Sequence, residues 1–186
     1  AGAYHALENI EYTSALSGEF KQKKSSTPLV SGTSFGPLKG LGMPIDSKNR
    51  FSDCIVTPVT CQIDDKLIEF GGCYGNGCSF TTDDPQVRIL AQYSHNKNLN
   101  PAIIEKPIGQ GIVIASGIVP HYGYEKHTSA QLQELNLDPL PHETERKHFM
   151  QALIGRMAKH AANMGVISEE DLMYPFHKIG KLQVTM

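Results

Sequence analysis

Tryptophan is absent from the 186 residues. No uninterrupted apolar stretch approaches the ~20 residues a helix needs to cross a bilayer. Neither sign of charge dominates, since 17 Lys and Arg stand against 19 Asp and Glu for a net charge of −2. With its basic residues scattered, the chain has no stripe that would neutralise phosphates, so neither nucleic acid nor a membrane is expected as a partner. The short cluster Lys21, Lys23, Lys24 reads as a solvated loop. No C-x-x-C spacing occurs among Cys54, Cys61, Cys73 and Cys78, and no His-x-x-x-His pair occurs among the eight histidines. The zinc-knuckle pattern is therefore missing, and neither a metal nor a cofactor is expected. His127, His142, His148 and His160 read as surface residues, with a metal-dependent hydrolase built from dispersed His and Asp kept as a rival.

What is present is ordinary globular composition, 40% hydrophobic and 19% charged, enough for one domain over residues 1–186 with a sizeable core. The cysteines read as buried structural thiols of a reducing compartment, with a Cys73–Cys78 bridge as the alternative if the protein is exported. The cytoplasm is thus favoured and export left open; nothing in the sequence sets the oligomeric state.

The opening Ala1-Gly2-Ala3-Tyr4 suits a strand-to-helix elbow, where small residues let the backbone turn tightly beneath an exposed nucleophile that would precede Ala1. The bland alternative is a ragged end. A short helix is expected over residues 4–10, then an exposed loop over residues 11–28. Residues 29–37 read as a strand end passing into a hydroxyl-rich Gly/Pro turn. Residues 55–63 alternate with a strand period, Pro58 marking an edge or a bulge, and Asp64-Asp65 closes a hairpin into residues 66–70. Residues 71–78 hold four glycines but no G-K-[ST] ending, which makes them a loop with room for close backbone approach and not a phosphate loop.

Strands follow over residues 87–93 and 102–105. Gly109-Gln110-Gly111 then introduces the apolar run 112–115, which reads as a strand buried on both faces and leads to Pro120-His121. In an open α/β sheet chemistry gathers at the carboxyl ends of strands, so His121 is a functional candidate against a structural turn histidine. Phe149, Met150, Leu153, Ile154, Met157, Ala158 and Ala161 form one helical stripe, expected to be core packing, with Gly165 as the cap. Ser168-Glu169-Glu170-Asp171 reads as a capping box for a short helix stopped before Pro175.

Three of these stretches together resemble the N-terminal domain of eukaryotic-type biotin–protein ligases, a class I glutamine-amidotransferase-like domain. Ala1-Gly2-Ala3-Tyr4 looks like the tail of its Gly-x-Cys-Ala-Gly-(Ala/Gly)-Tyr elbow. Gly32-Thr33-Ser34-Phe35-Gly36-Pro37 looks like its Gly-Thr-Ser-x-Gly-Pro loop, and residues 111–121 look like the strand to its histidine loop. The resemblance implies an α/β fold, the carboxyl-side portion of a flavodoxin-like doubly wound sheet with an added β-hairpin region, in a domain truncated at its N-terminus. It further implies Cys–His chemistry on a small amide or acyl compound. His121 would be the base, the Ala1 amide would serve the oxyanion, and Gly2, Tyr4, Thr33, Ser34, Gly36 and Gly72 would line the ligand site. The sequence departs from the family where an orienting acid should follow the histidine by two residues. Gly123 stands there, and Glu125 could substitute only if the loop folds back. An inert ligand-binding or regulatory module is accordingly the second reading.

Overall fold

The computed structural model describes residues 2–13, 19–36, 55–63, 66–74, 77–94, 100–120 and 143–165. Two β-sheets, a long helix and one short helical turn make up these residues, a mixed α/β architecture. Helix α1 (Gly2–Ala6) is a single turn, and the chain then becomes strand β1 (Leu7–Thr13) where continued helix was expected. Strand β2 (Phe20–Lys24) replaces part of the expected loop. It stays fully exposed, so its lysines are solvated as foreseen but on an edge strand. Strand β3 (Val30–Gly36) carries the Gly-Thr-Ser stretch as strand and not as turn. With β6 (Ser79–Thr81) these form the first sheet in the order β2-β1-β3-β6.

The reason for the misread helix lies in β1. Leu7 and Ile10 are both buried although three residues apart, a spacing that fits one helical face and not strict strand alternation. The β1–β3 ladder shifts register between Leu7 and Asn9, and that irregularity lets both side chains turn inward from a strand. β1 runs parallel to β3, whereas the β1–β2 and β3–β6 ladders are antiparallel.

The second sheet is antiparallel throughout, in the order β5-β4-β7-β8-β9. Strands β4 (Ile55–Ile63) and β5 (Lys66–Tyr74) pair in register from Ile63↔Lys66 to Ile55↔Tyr74, the expected hairpin. Pro58 sits inside β4 but at a local edge. Its carbonyl accepts from the Ser94 amide just beyond the last β4–β7 pair, Val59↔Tyr93, so the donor it lacks is lost only where that ladder ends. β7 (Arg88–Tyr93), β8 (Pro101–Ile108) and β9 (Gly111–Ser116) complete the sheet.

The strand buried on both faces is β8, not β9. Ala102, Ile103, Ile104 and Glu105 are all buried, whereas only Ala115 of β9 is, because β9 lies at the sheet edge. Ile103 packs among Val59, Phe70, Tyr93 and Phe149 on the side of helix α2 (Glu143–Asn163). Ile104 joins Leu7, Val30, Phe80 and Ala115 on the other side, where the first sheet covers β8 and β9. Helix α2 is docked by Phe149, stacked on Phe70 with centroids 5.1 Å apart, by Leu153, and by an ion pair from Arg156 to the buried Glu105. His160, expected at the surface, is half-buried with its Nε2 3.0 Å from the Gln110 carbonyl, tying the last helical turn to the β8–β9 connection.

The expected core stripe of α2 splits in two. Phe149 and Leu153 enter the core, while Ile154 and Met157 on the same apolar arc face solvent. The expected capping box from Ser168 lies outside the described residues.

The tightest backbone contact joins the second sheet to its own connections. A Cβ on Gly77 would lie 1.7 Å from the Gly117 carbonyl oxygen, and one on Gly117 would lie 1.7 Å from that of Cys78. The Cys78 carbonyl cannot yield without disturbing Tyr93, whose hydroxyl donates to it at 2.8 Å and would itself lie 2.6 Å from a Cβ on Gly117. Gly117→Ala is expected to lower unfolding free energy by about 3 kcal/mol. Gly155→Ala, with open space around the new methyl, should leave the denaturant midpoint unchanged or raise it. Urea titrations of the two variants check this.

Candidate functional site

The chain that enters position 121 is fixed atom by atom. Beyond β9, the Gly117 amide donates to the Ala102 carbonyl at 2.8 Å, and the Ser116 hydroxyl donates to the Ile118 carbonyl at 2.7 Å. The Val119 amide donates to the Cys73 carbonyl at 2.8 Å, an isolated antiparallel bridge that draws the chain onto β5. Ile118 is buried over Gly72, where a Cβ would meet its Cδ1 at 2.8 Å. Gly72 therefore makes the space that Ile118 fills.

The last of these contacts comes from α2. Arg146, only 5% exposed, donates from Nη1 to the Pro120 carbonyl at 2.7 Å. Its guanidinium also pairs with both carboxylate oxygens of Glu143, Nε to Oε2 at 2.7 Å and Nη2 to Oε1 at 2.5 Å. A buried cation needs such compensation, and the planar fork supplies it while leaving an N–H for the carbonyl. The guanidinium beside Glu143 holds that carboxyl below the usual glutamate range. Arg146 went unnoticed in the sequence. The available signal was its place three residues before Phe149 and seven before Leu153, a charged residue on the core-facing arc of a helix.

The expected site residues fall into separate groups. Ala1, His121 and Glu125 lie outside the described residues; Gly2 and Tyr4 belong to α1. Thr33, Ser34 and Gly36 share β3, but successive strand residues point to opposite faces. Ser34 is buried, its hydroxyl donating to the Asn9 carbonyl at 3.4 Å. Thr33 points outward into an open depression of about 320 Å³, lined also by Asn9, Glu11, Gln22 and Lys24. Gly36 is buried beside Tyr12, and Gly72 belongs to the other sheet. The structure thus does not gather Thr33, Ser34, Gly36 and Gly72 around one cavity. It brings the first and third of the three stretches together and reaches only the start of the strand that carries the second. The α1 turn packs on β9 and β3, with Ala3 and Ala6 against a core that holds Val30 and Ala115.

Chemistry at two of the described thiols, Cys61 and Cys78, is suppressed. Cys61, Cys73 and Cys78 are buried and unbridged, so the Cys73–Cys78 disulfide does not form. Burial pushes Cys61 up to about 11 and Cys78 up to about 12. At neutral pH such groups are ionised to roughly one part in ten thousand or less, which removes them as nucleophiles. Cys54 lies outside the described residues. No three His, Cys, Asp or Glu side chains gather as metal ligands among the described residues, and none of their helices is long and apolar enough to cross a membrane.

Two measurements follow from these groups. Mass-spectrometric labelling with iodoacetamide at pH 7.5 should leave Cys61 and Cys78 unmodified until denaturant unfolds the protein. The Glu143 carboxylate stabilises the fold fully above the ordinary glutamate value, and that contribution is lost as pH falls through its lowered one. Glu143→Gln should therefore be less stable than wild type near pH 7, with the gap closing in chemical unfolding series taken toward pH 3.

Comparison with protein-family models, with curated proteins and with solved structures finds no match to this chain.

Proposed function

We infer that this chain is a glutamine-amidotransferase-like domain, similar to the N-terminal domain of biotin–protein ligases, acting on a small amide or related acyl compound. The observation that carries the reading is the packing of α1 on both β9 and β3. The elbow tail, the histidine-bearing strand and the Gly-Thr-Ser segment are the three stretches of the resemblance. The first two are far apart in sequence and neighbours in space, and the third continues from Val30 along β3 beside β1, away from α1. The parallel β1–β3 ladder is the feature that supports a doubly wound, flavodoxin-like frame, to which the antiparallel second sheet would be an elaboration.

In this reading a cysteine immediately before Ala1 is the nucleophile and His121 its base. The thiolate adds to the amide carbon, and the oxyanion is held by the Ala1 amide. Collapse expels the amine, which takes its proton from the His121 imidazolium, and water then hydrolyses the thioester. The fixed course of residues 117–120 supports the assignment, because a general base needs a backbone that does not wander. Gly123, where an orienting acid would stand, favours a second reading in which the pocket binds its ligand without turnover.

The test uses full-length protein that includes the residues preceding Ala1. Iodoacetamide should label the elbow cysteine faster than free cysteine, and His121→Ala should slow that labelling about tenfold. Across a panel of small amides the same substitution should reduce turnover by about 10²–10⁴-fold. Labelling no faster than a free thiol and indifferent to His121 sinks the nucleophile. Thermal stabilisation by an amide without turnover establishes the inert module instead.

A further inference from the structure

The face of the first sheet turned away from the second holds polar groups that the fold does not use. Register places Lys24 beside Asn9 and Asn9 beside Thr33, one rung across β2, β1 and β3 that spans about 10 Å at the usual strand spacing. The next rung pairs Gln22 with Glu11, and the Gln22 Nε2 donates to Glu11 Oε1 at 2.8 Å. All five residues line the open depression of about 320 Å³ into which Thr33 points, a volume at the lower end of small-molecule sites. Lys23, opposite Ile10 in register, alternates to the other face. The register shift that turns Ile10 inward turns Asn9 outward into line with Thr33, and Gly32, opposite the shift, has φ +133°, which favours glycine. A bulge of this kind re-aims a side chain, and such irregularities gather beside functional sites.

Among the described residues, the side chains of Lys24, Asn9 and Thr33 hold no hydrogen bond, and no ion pair joins Lys24 to Glu11. Register sets Lys24 diagonal to Glu11, with their backbones about 7–8 Å apart. The depression thus presents an ammonium with an amide and a hydroxyl beside it. One rung further stands a carboxylate whose Oε2, with the Gln22 side-chain carbonyl, remains to accept. We propose that this depression binds a small zwitterion of the α-amino-acid class, its carboxylate taken by Lys24, Asn9 and Thr33 and its ammonium by Glu11 and Gln22. Charge selects the class. A phosphate dianion would meet the Glu11 carboxylate, and a simple cation would meet Lys24. Spacing agrees with it. The ammonium and carboxylate of an α-amino acid stand about 3 Å apart, and a hydrogen bond of about 2.8 Å at each end brings the span near the diagonal separation. Lys24 and Glu11 attract each other only weakly across solvent, so a ligand that pairs with both loses little by coming between them. The inference concerns this sheet face and does not rest on the chemistry proposed for His121.

Titration of the full chain with alanine, propionate and ethylamine, followed through backbone amide shifts in nuclear magnetic resonance, tests it. Alanine at millimolar concentration should shift the amides of β1, β2 and β3 around the depression saturably and leave those of β4 and β5 unmoved. Propionate and ethylamine each lack one of the two charges and should bind at least tenfold more weakly. Lys24→Met and Glu11→Gln should each weaken alanine binding about tenfold. Neither should move the urea midpoint, since neither side chain is buried. Combining Lys24→Glu with Glu11→Lys should recover binding, because a zwitterion can reverse in the site. Absence of a saturable shift with alanine overturns the proposal. So does propionate bound as tightly as alanine, which leaves an anion site only, and so does an affinity indifferent to both single substitutions. If a variant fails to fold, the comparison of the three ligands on wild type decides. Amide turnover that depends on His121 would survive each of these failures, so the two readings fall separately.

Discussion

Strand β8 is held from both faces at once, and most of the described fold depends on that. Ile103 and Glu105 face the helix, Ile104 faces the first sheet, and no side of residues 102–105 meets water. Burying Ile103 and Ile104 contributes roughly 1.5–3 kcal/mol each, a favourable term that also forces a difficulty. Alternation requires the next helix-facing residue to be Glu105, whose carboxylate would be costly to desolvate alone. Arg156 answers it in a bidentate pair, and because Arg156 sits on α2, the answer fixes the helix across the sheet. The charge is a cost offset by geometry and not a net source of stability. Its structural consequence is registration.

The same helix uses a second arginine one core-facing stretch earlier. Arg146 compensates its own burial through Glu143 and spends a remaining N–H on the Pro120 carbonyl. Between the two arginines Phe149 stacks on Phe70 of β5. The helix is therefore attached to β8, to β5 and to the connection after β9 by three chemically distinct contacts, and a shift in any one would strain the others. That connection is also confined from below by the Gly77–Gly117 approach and by Ile118 over Gly72. Pro120 is thus held at a point that the core, the sheet edge and the helix jointly determine.

Much of this architecture was legible in the sequence where the pattern had one physical cause. The β4–β5 hairpin followed from period-two alternation around Asp64-Asp65, and α2 followed from its apolar spacing and the glycine at its end. Reading failed where two causes overlap. Leu7 and Ile10 have helical spacing because a register shift reverses strand parity, and a shift depends on the partner strand. The run 112–115 resembles a doubly buried strand, but burial on the second face depends on sheet order, which leaves β9 at an edge. The α2 stripe is wider than the surface available to it, so only half of it enters the core. For the candidate site, the packing of α1 on β3 and β9 was not legible, because it joins stretches far apart in the chain. Nor were the contacts fixing Pro120, because a carbonyl held by an arginine 26 residues away has no sequence motif.

Around Pro120 the described residues supply anchorage. The Cys61 and Cys78 thiols are held unionised by burial, and the Ser34 hydroxyl already donates to a backbone carbonyl. An anchored approach without local reactive groups has a physical logic for catalysis in which the reacting groups come from elsewhere in the chain. A base loses effectiveness steeply with misplacement of about 1 Å. The backbone that leads to it is best held by groups whose own protonation stays constant across the working pH range. Arg146 meets that condition, because a guanidinium does not deprotonate at any pH where a thiol–imidazole pair would work. The charge of the anchor is therefore constant over any pH range in which a thiol–imidazole pair would change protonation.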